Sequence, residues 1–187
     1  MQLFAATEAK FRKVFDAYFE AVNRYCLRRI PAGEVNDVVA EVFTVAWRKV
    51  ESIPDGNAAL PWLYGVARHE VNNRRRSSRR YRALKDKLGG QADHPDPGPE
   101  LVVLRNAELR QLMRALASLS PADQEILLLR THEELDNSQI GIVIGCSPEA
   151  ARKRLSRATA RLRRAAGIPE PQTAVRGTRV IQEGGDQ

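Results

Sequence analysis

Apolar residues recur every three to four positions along most of this chain, and alternation with a period of two is missing throughout. Phe11, Val14, Phe15, Tyr18, Phe19, Val22, Tyr25, Cys26 and Ile30 form one stripe of a helix of about five turns. Pro31 and Gly33 end it. Val35, Val38, Val39, Val42, Ala46 and Val50 make the core face of a second helix, with Asp37, Glu41 and Arg48 away from its centre. Residues 52–61, SIPDGNAALP, read as a loop by their Pro and Asp-Gly content. Pro61 then suits the first turn of a third helix. That helix buries Trp62, Leu63, Val66, Ala67 and Val71 before turning strongly basic.

The second half repeats the pattern with different chemistry. Residues 89–99, GGQADHPDPGP, hold three Pro and three Gly and have the composition of a linker. Leu101, Leu104, Leu109, Leu112, Leu116 and Leu119 predict an amphipathic helix. Ser120-Pro121 opens the next helix and Ser147-Pro148 the last, each with Ser as N-cap and Pro at the first position. Between them lie a short helix, 137–144, and the turn Gly145-Cys146-Ser147. The expectation is an all-α chain of two small helical domains joined by a flexible linker. The boundaries are 1–85, linker 86–100, 101–166, and a disordered tail over 167–187 lacking periodicity.

Charge sharpens this picture more than composition does. Residues 62–87 carry nine Lys/Arg against two Asp/Glu, and residues 148–167 carry seven against one. The whole chain of 187 residues is only +7, so the remainder is acidic. Two basic blocks on an acidic body look like two footprints on a polyanion, although each could be a solvated helix face. Aromatics are 6%, as suits small Ala-, Leu- and Val-rich helical domains. No apolar run reaches the length of a membrane span, and Met1–Ala9 lacks the pattern of a signal peptide, so a cytoplasmic protein without membrane insertion is expected.

The segment 137–164 has the form helix, three-residue turn, helix, which is that of a helix-turn-helix. Ala151, Leu155, Ala158 and Leu162 share one side of its last helix. Arg152, Lys153, Ser156 and Arg157 occupy the other, in the turns that meet base edges when such a helix enters the major groove of DNA. Arg163 and Arg164 follow, placed for phosphates. In the first basic block, Trp62 and Tyr64 precede the arginines, an arrangement able to stack unpaired bases, although for Trp62 taken alone a core role is the favoured reading. No catalytic set emerges. His69 and Glu70 are helix neighbours and should not share a face. Glu133, Glu134 and Asp136 read as surface acids without a His at metal spacing. Cys26 and Cys146 form no CxxC pair and read as buried free thiols. No metal and no cofactor is expected.

In order and spacing these pieces resemble an RNA polymerase sigma factor of the extracytoplasmic-function (group IV) type. Residues 37–49, DVVAEVFTVAWRK, look like region 2.2; residues 61–76, PWLYGVARHEVNNRRR, look like regions 2.3 and 2.4; residues 119–164 look like region 4. The resemblance implies a factor that binds core RNA polymerase, recognises −35 and −10 promoter elements and promotes DNA melting. It implies that Asp37, Glu41 and Arg48 meet the clamp of the largest polymerase subunit. It implies that Asp55, Gly56 and Asn57, in the loop that captures a flipped base, work with Trp62, His69, Asn73 and Arg76 on −10 DNA. Arg152, Lys153, Ser156 and Arg157 would read the −35 element. An anti-sigma factor is the further implied partner.

The chain departs from the family pattern at several places. His69 stands where Asn is usual, Gly65 where a basic residue is common, Ala40 where Gln is frequent, and Gly141 where Ala is. The helix-turn-helix opens with Asp136-Asn137-Ser138-Gln139 in place of Ser-Tyr-Glu-Glu. These changes bear on promoter sequence. The competing reading is a helix-turn-helix regulator without a sigma role, which leaves residues 61–76 without a task.

Overall fold

The structure, a computed structural model, describes residues 2–87 and 107–169. Among them every regular element is helical, as the periodicity predicts. The first unit comprises α1 (Gln2–Leu27), α2 (Ala32–Arg48) and α3 (Ala59–Lys87). The second comprises α4 (Ala107–Ser118), α5 (Pro121–Thr131), α6 (Asn137–Ile144) and α7 (Pro148–Ala165). The expected linker lies almost wholly outside the described residues, except that α3 continues through Lys87. The expected tail also lies outside them from residue 170. Gly167 to Pro169 are described, and they close α7: Gly167 at φ +66° lets its own N–H and that of Ile168 return to carbonyls of the last turn.

The core of the first unit is the one the apolar stripes define. Val22, Val38, Val42, Ala46, Leu63 and Ala67 are fully enclosed between the three helices. Each such aliphatic side chain contributes about 1.5–3 kcal/mol by leaving water, less for the alanines. Phe11, Phe15, Phe19 and Phe43 interlock edge-to-face and tilted along the α1–α2 seam, with Trp47 against Phe11 at 5.1 Å. Two single 3₁₀ turns, Val50–Ser52 and Gly56–Ala58, carry the chain to α3, which starts at Ala59, so Pro61 falls within its first turn.

In the second unit, caps fix the helix starts. The Ser120 hydroxyl accepts from the Asp123 N–H, and that of Ser147 accepts from Ala150. At α6, Asp136 and Gln139 form a reciprocal capping box, so the unusual opening DNSQ keeps the same chemistry with different residues. Gly145, at φ +70°, makes the left-handed turn between α6 and α7. Gly141 is demanded by close approach, since a Cβ there would lie 2.6 Å from the Cys146 carbonyl oxygen. Ile126, Leu127 and Leu129 make the core face of α5.

The two units pack on one another. The last turn of α6 lies across α3, where a Cβ on Gly65 would sit 3.6 Å from the Val143 carbonyl oxygen. Three expectations fail, the first two at this junction. Tyr64 is buried against Tyr25, ring centroids 5.0 Å apart, and is not free to stack on bases. Glu133 is buried rather than a surface acid. Cys146 is only partly buried, while Cys26 is enclosed.

Candidate nucleic-acid interface

Helix α7 is held by its apolar side, which buries Ala151 and Ala158 and partly buries Leu155 and Leu162 against α4, α5 and α6. Its other side faces out, and Arg152, Lys153, Ser156 and Arg157 are all exposed on it. Lys153 pairs with Glu149 one turn earlier at 2.7 Å, and Arg161 with Asp123 at 2.8 Å. The exposed i,i+4 pair of Glu149 and Lys153 is worth a few tenths of a kcal/mol and releases easily to a phosphate, whereas Arg161 ties α7 to a largely enclosed carboxylate of α5. A groove of about 360 Å³ beside Arg152 and Ser156 adds Arg130, Asn137 and Arg163. Arg130 is fixed there by bonds to the Leu135 carbonyl and the Asn137 side chain. Arg130 and Asn137 had no distinguishing sequence signal; only the turn brings them beside α7.

The residues expected on −10 DNA also share a face. Trp62, His69, Asn73 and Arg76 are spaced by seven, four and three along α3, one stripe of the helix. His69 and Arg76 are exposed, and Trp62 is half-buried with its inner edge on the core. Asn73 bridges His69 and Glu70, and Arg76 bonds the Asn73 side chain. The His69 ring nitrogen also lies 3.2 Å from Glu70 Oε1, so these sequence neighbours do meet, contrary to expectation. Asp55, Gly56 and Asn57 are exposed at the N-terminal end of the same helix, with Gly56 at φ +63°.

Asp37, Glu41 and Arg48 form a third exposed stripe, along α2, at helical spacings of four and seven. Asp37 reaches Arg74 of α3 at 3.3 Å, and Arg74 also pairs with Glu34. Arg48 lines a cleft of about 650 Å³ between α2, α3 and the end of α6, which also takes in Trp62, Arg68 and His69.

Among the described residues a buried ion cluster lies elsewhere, at the junction of the two units. The Arg29 guanidinium stacks on the Tyr25 ring at 3.5 Å and bonds Glu125 and Glu133, each at 3.0 Å. Arg28 pairs with the other oxygen of Glu133. The Tyr25 hydroxyl donates to Glu125 at 2.7 Å. From α3, Arg75 donates two bonds to the Arg29 carbonyl. Burial and the Glu125 carboxylate push the Tyr25 phenol well up, and burial with Glu133 pushes Tyr64 up to about 12. Burial opposes the charge on Arg29, but Tyr25, Glu125 and Glu133 outweigh it and hold the guanidinium above its ordinary range. No local pattern announces this cluster, because its cations and anions lie about a hundred residues apart. Among the described residues no group of acids, His or Cys could hold a metal, and no helix is long and apolar enough to cross a membrane.

Comparison with known proteins follows these two units. The family model described as Sigma-70 region 2 matches residues 14–81, and that described as Sigma-70, region 4 matches residues 109–162. The chain is 29% identical over 140 residues to the RNA polymerase sigma factor NccH of Alcaligenes xylosoxydans xylosoxydans, covering 71% of this chain and 73% of that one. It is 29% identical over 163 residues to the ECF RNA polymerase sigma factor SigL of Mycobacterium tuberculosis, covering 85% and 90%. Its fold is similar to that of the sigma factor RpoE of Bartonella quintana, solved in complex with the anti-sigma factor NepR. The TM-score is 0.59 at 22% identity, over 86% of this chain and 98% of that one.

Proposed function

The chain belongs to the sigma-70 family as a sigma factor of the extracytoplasmic-function type, and on that premise we propose how its surfaces divide the work of initiation. Helix α7 enters the major groove of the −35 element, with Arg152, Lys153, Ser156 and Arg157 at the base edges. Arg130, Asn137 and Arg163 hold the flanking phosphates. The α3 stripe of Trp62, His69, Asn73 and Arg76 takes the −10 element, and Asp55, Gly56 and Asn57 cradle a base drawn out of the stack. No bond is broken in that step. The protein need only supply a site for an extruded base worth the few kcal/mol lost on unstacking. The α2 stripe of Asp37, Glu41 and Arg48 docks on the clamp of core polymerase. Residues 1–85 and 101–166 act as the two binding domains and 86–100 as their tether. An anti-sigma factor is the regulatory partner, as in the complex of the Bartonella quintana protein. The protein works in the cytoplasm, beside the polymerase.

The observation that carries this reading is the pair of exposed stripes, one on each unit, matching two sequence blocks of opposite position and equal sign. A regulator acting alone explains the second unit only. The purified chain is expected to bind cognate core polymerase and direct initiation from specific genomic start sites in vitro. A chain that binds core but initiates nowhere on genomic template, with no inhibitor present, overturns the proposal.

A further inference from the structure

The cleft of about 650 Å³ between α2, α3 and the end of α6 has the size of a small-molecule site, and its walls carry three different chemistries. The first is unneutralised positive charge. Arg48 and Lys49, at the C-terminal end of α2, and Arg68 of α3 line the cleft, and none of the three has an ion pair among the described residues. The acid beside them, Glu70, is taken up by His69 and Asn73. Arg68 Nε is buried without a partner among the described residues, a standing cost that an oxyanion within reach removes.

The second chemistry is an aromatic face, that of half-buried Trp62. The third is a pair of backbone acceptors. The Ile142 and Val143 carbonyl oxygens lie 3.8 and 3.6 Å from where a Cβ on Gly65 would stand, so both are turned towards α3. Carbonyls of a last helical turn lack intrahelical donors, and the next two N–H groups, of Gly145 and Cys146, both go to Gly141. Trp62 and Arg68 stand about one turn to either side of Gly65. Ring, acceptors and guanidinium therefore follow one another over about 9 Å of α3, at 1.5 Å per residue.

Each chemistry selects part of one ligand. Several cations on one cleft suit adjacent negative charges, and arginine suits phosphate through its planar fork. Indole stacks a flat ring, and paired carbonyls accept from the N–H edge of a base. A DNA strand has bases too, but it brings a single charge per nucleotide. We infer that this cleft is a site for a purine nucleoside polyphosphate, with the base on Trp62 and at the α6 carbonyls and the phosphates on Arg48, Lys49 and Arg68. Because Trp62 and His69 belong to the −10 stripe, a nucleotide seated there excludes the −10 strand. That exclusion rests on the sigma-factor reading above; the binding itself does not.

The test is calorimetric titration of the full chain at low salt with ATP and GTP, against adenosine, guanosine and inorganic tripolyphosphate as the halves of the ligand. A saturable one-to-one complex is expected. Each half should bind at least about tenfold more weakly, since it forfeits one kind of contact. Lys49→Ala with Arg68→Ala should weaken the nucleotide at least about tenfold, through two lost charge-assisted contacts. Arg152→Ala with Arg157→Ala strips as much charge from α7 and should leave nucleotide binding unchanged. Circular dichroism establishes that the variants fold; should the Arg68 variant not fold, Lys49→Glu takes its place. Emission of Trp62, read alone in Trp47→Phe, should be quenched at saturation.

Tripolyphosphate bound as tightly as ATP and GTP, or equal weakening by the α7 variant, reduces the binding to the pull of a basic surface on polyanions and overturns the site. Absence of saturable binding, or an unquenched Trp62, overturns it as well. A DNA strand of five nucleotides should compete with the nucleotide yet bind independently of Lys49 and Arg68. Equal dependence on those two residues assigns the cleft to the −10 strand and overturns the nucleotide. Absence of competition overturns the exclusion. A chain that binds nucleotide as expected but never initiates with core strikes the sigma-factor reading and upholds the site.

Discussion

Helices α3 and α7 carry nearly the same basic charge, and the fold spends it in opposite ways. On α7 most basic side chains point outward: Arg152 and Arg157 are exposed and have no ion pair among the described residues, Lys153 pairs with exposed Glu149, and Arg161 alone reaches a carboxylate of another helix, Asp123 of α5. On α3 much of the charge is already committed. Arg74 pairs with Glu34 and Asp37, Arg75 is tied to the Arg29 carbonyl, and Arg68 is half-buried in the cleft wall with its Nε unpartnered. A basic block in a sequence therefore marks one of two things, a surface offered to a polyanion or the bracing of a domain. The count of arginines does not separate them. What separates them is whether acids from other helices come within reach.

The largest effect that tests this contrast is on α7. Arg152→Ala with Arg157→Ala should lower −35-dependent transcription about a hundredfold, since each arginine that reads a base contributes about 1–3 kcal/mol of discrimination. Core binding and thermal stability should stay unchanged. Transcription assays on promoters with and without the −35 element check the first part, and co-elution with core checks the second. Loss of core binding would mean that the α7 face serves the polymerase and not DNA.

The corresponding change on α3 should have a different character. Arg75→Ala removes two bonds, at 2.7 and 3.2 Å, to a carbonyl at the end of α1. Leaving that carbonyl short of donors costs about 2 kcal/mol. Thermal unfolding should register this as a fall of several degrees, with promoter choice unaltered. A variant of unchanged stability that fails to melt promoters would move Arg75 from the bracing set to the DNA-binding set.

Much of this molecule was legible before its structure. Helix existence, the caps at Ser120 and Ser147, the turn at Gly145 and the exposed face of α7 follow from local rules acting within a few residues. Period-3.6 patterning placed Val22, Val38, Val42 and Leu63 in one core because each of them shares a stripe with its neighbours. What could not be read was set by distant partners. Tyr64 has the pattern of a stacking aromatic, yet Tyr25 covers it, and Glu133 has that of a surface acid, yet Arg28 and Arg29 enclose its side chain. The loop read over 52–61 ends earlier for the same reason, since α3 gains its first residues by burying Ala59 in the core. The unusual residues were the useful ones: Gly65, odd against the family pattern, sits where the two units touch.

Alkaline pH sharpens the comparison between the two units at the smallest scale. Cys26 of the first unit is fully enclosed, and burial pushes its thiol up to about 11 from an ordinary value near 9. Between those values the unfolded chain ionises this thiol and the folded one does not. The folded state then holds more protons, so stability falls as pH rises, beginning near 9 and levelling off near 11. At pH 10 the loss is about 1.4 kcal/mol, one unit of differential ionisation. Denaturant titrations at pH 8 and pH 10 should show it, and Cys26→Val should remove that share of the fall. Cys146, partly buried in the turn before α7, supplies the internal control. Iodoacetamide at pH 8 should label Cys146 well before Cys26, because the thiolate that reacts is scarce where burial suppresses it. Equal labelling of the two thiols would mean that the first unit opens readily around Cys26, and the firmly packed bundle contrasted with the exposed reading helix would lose its physical basis.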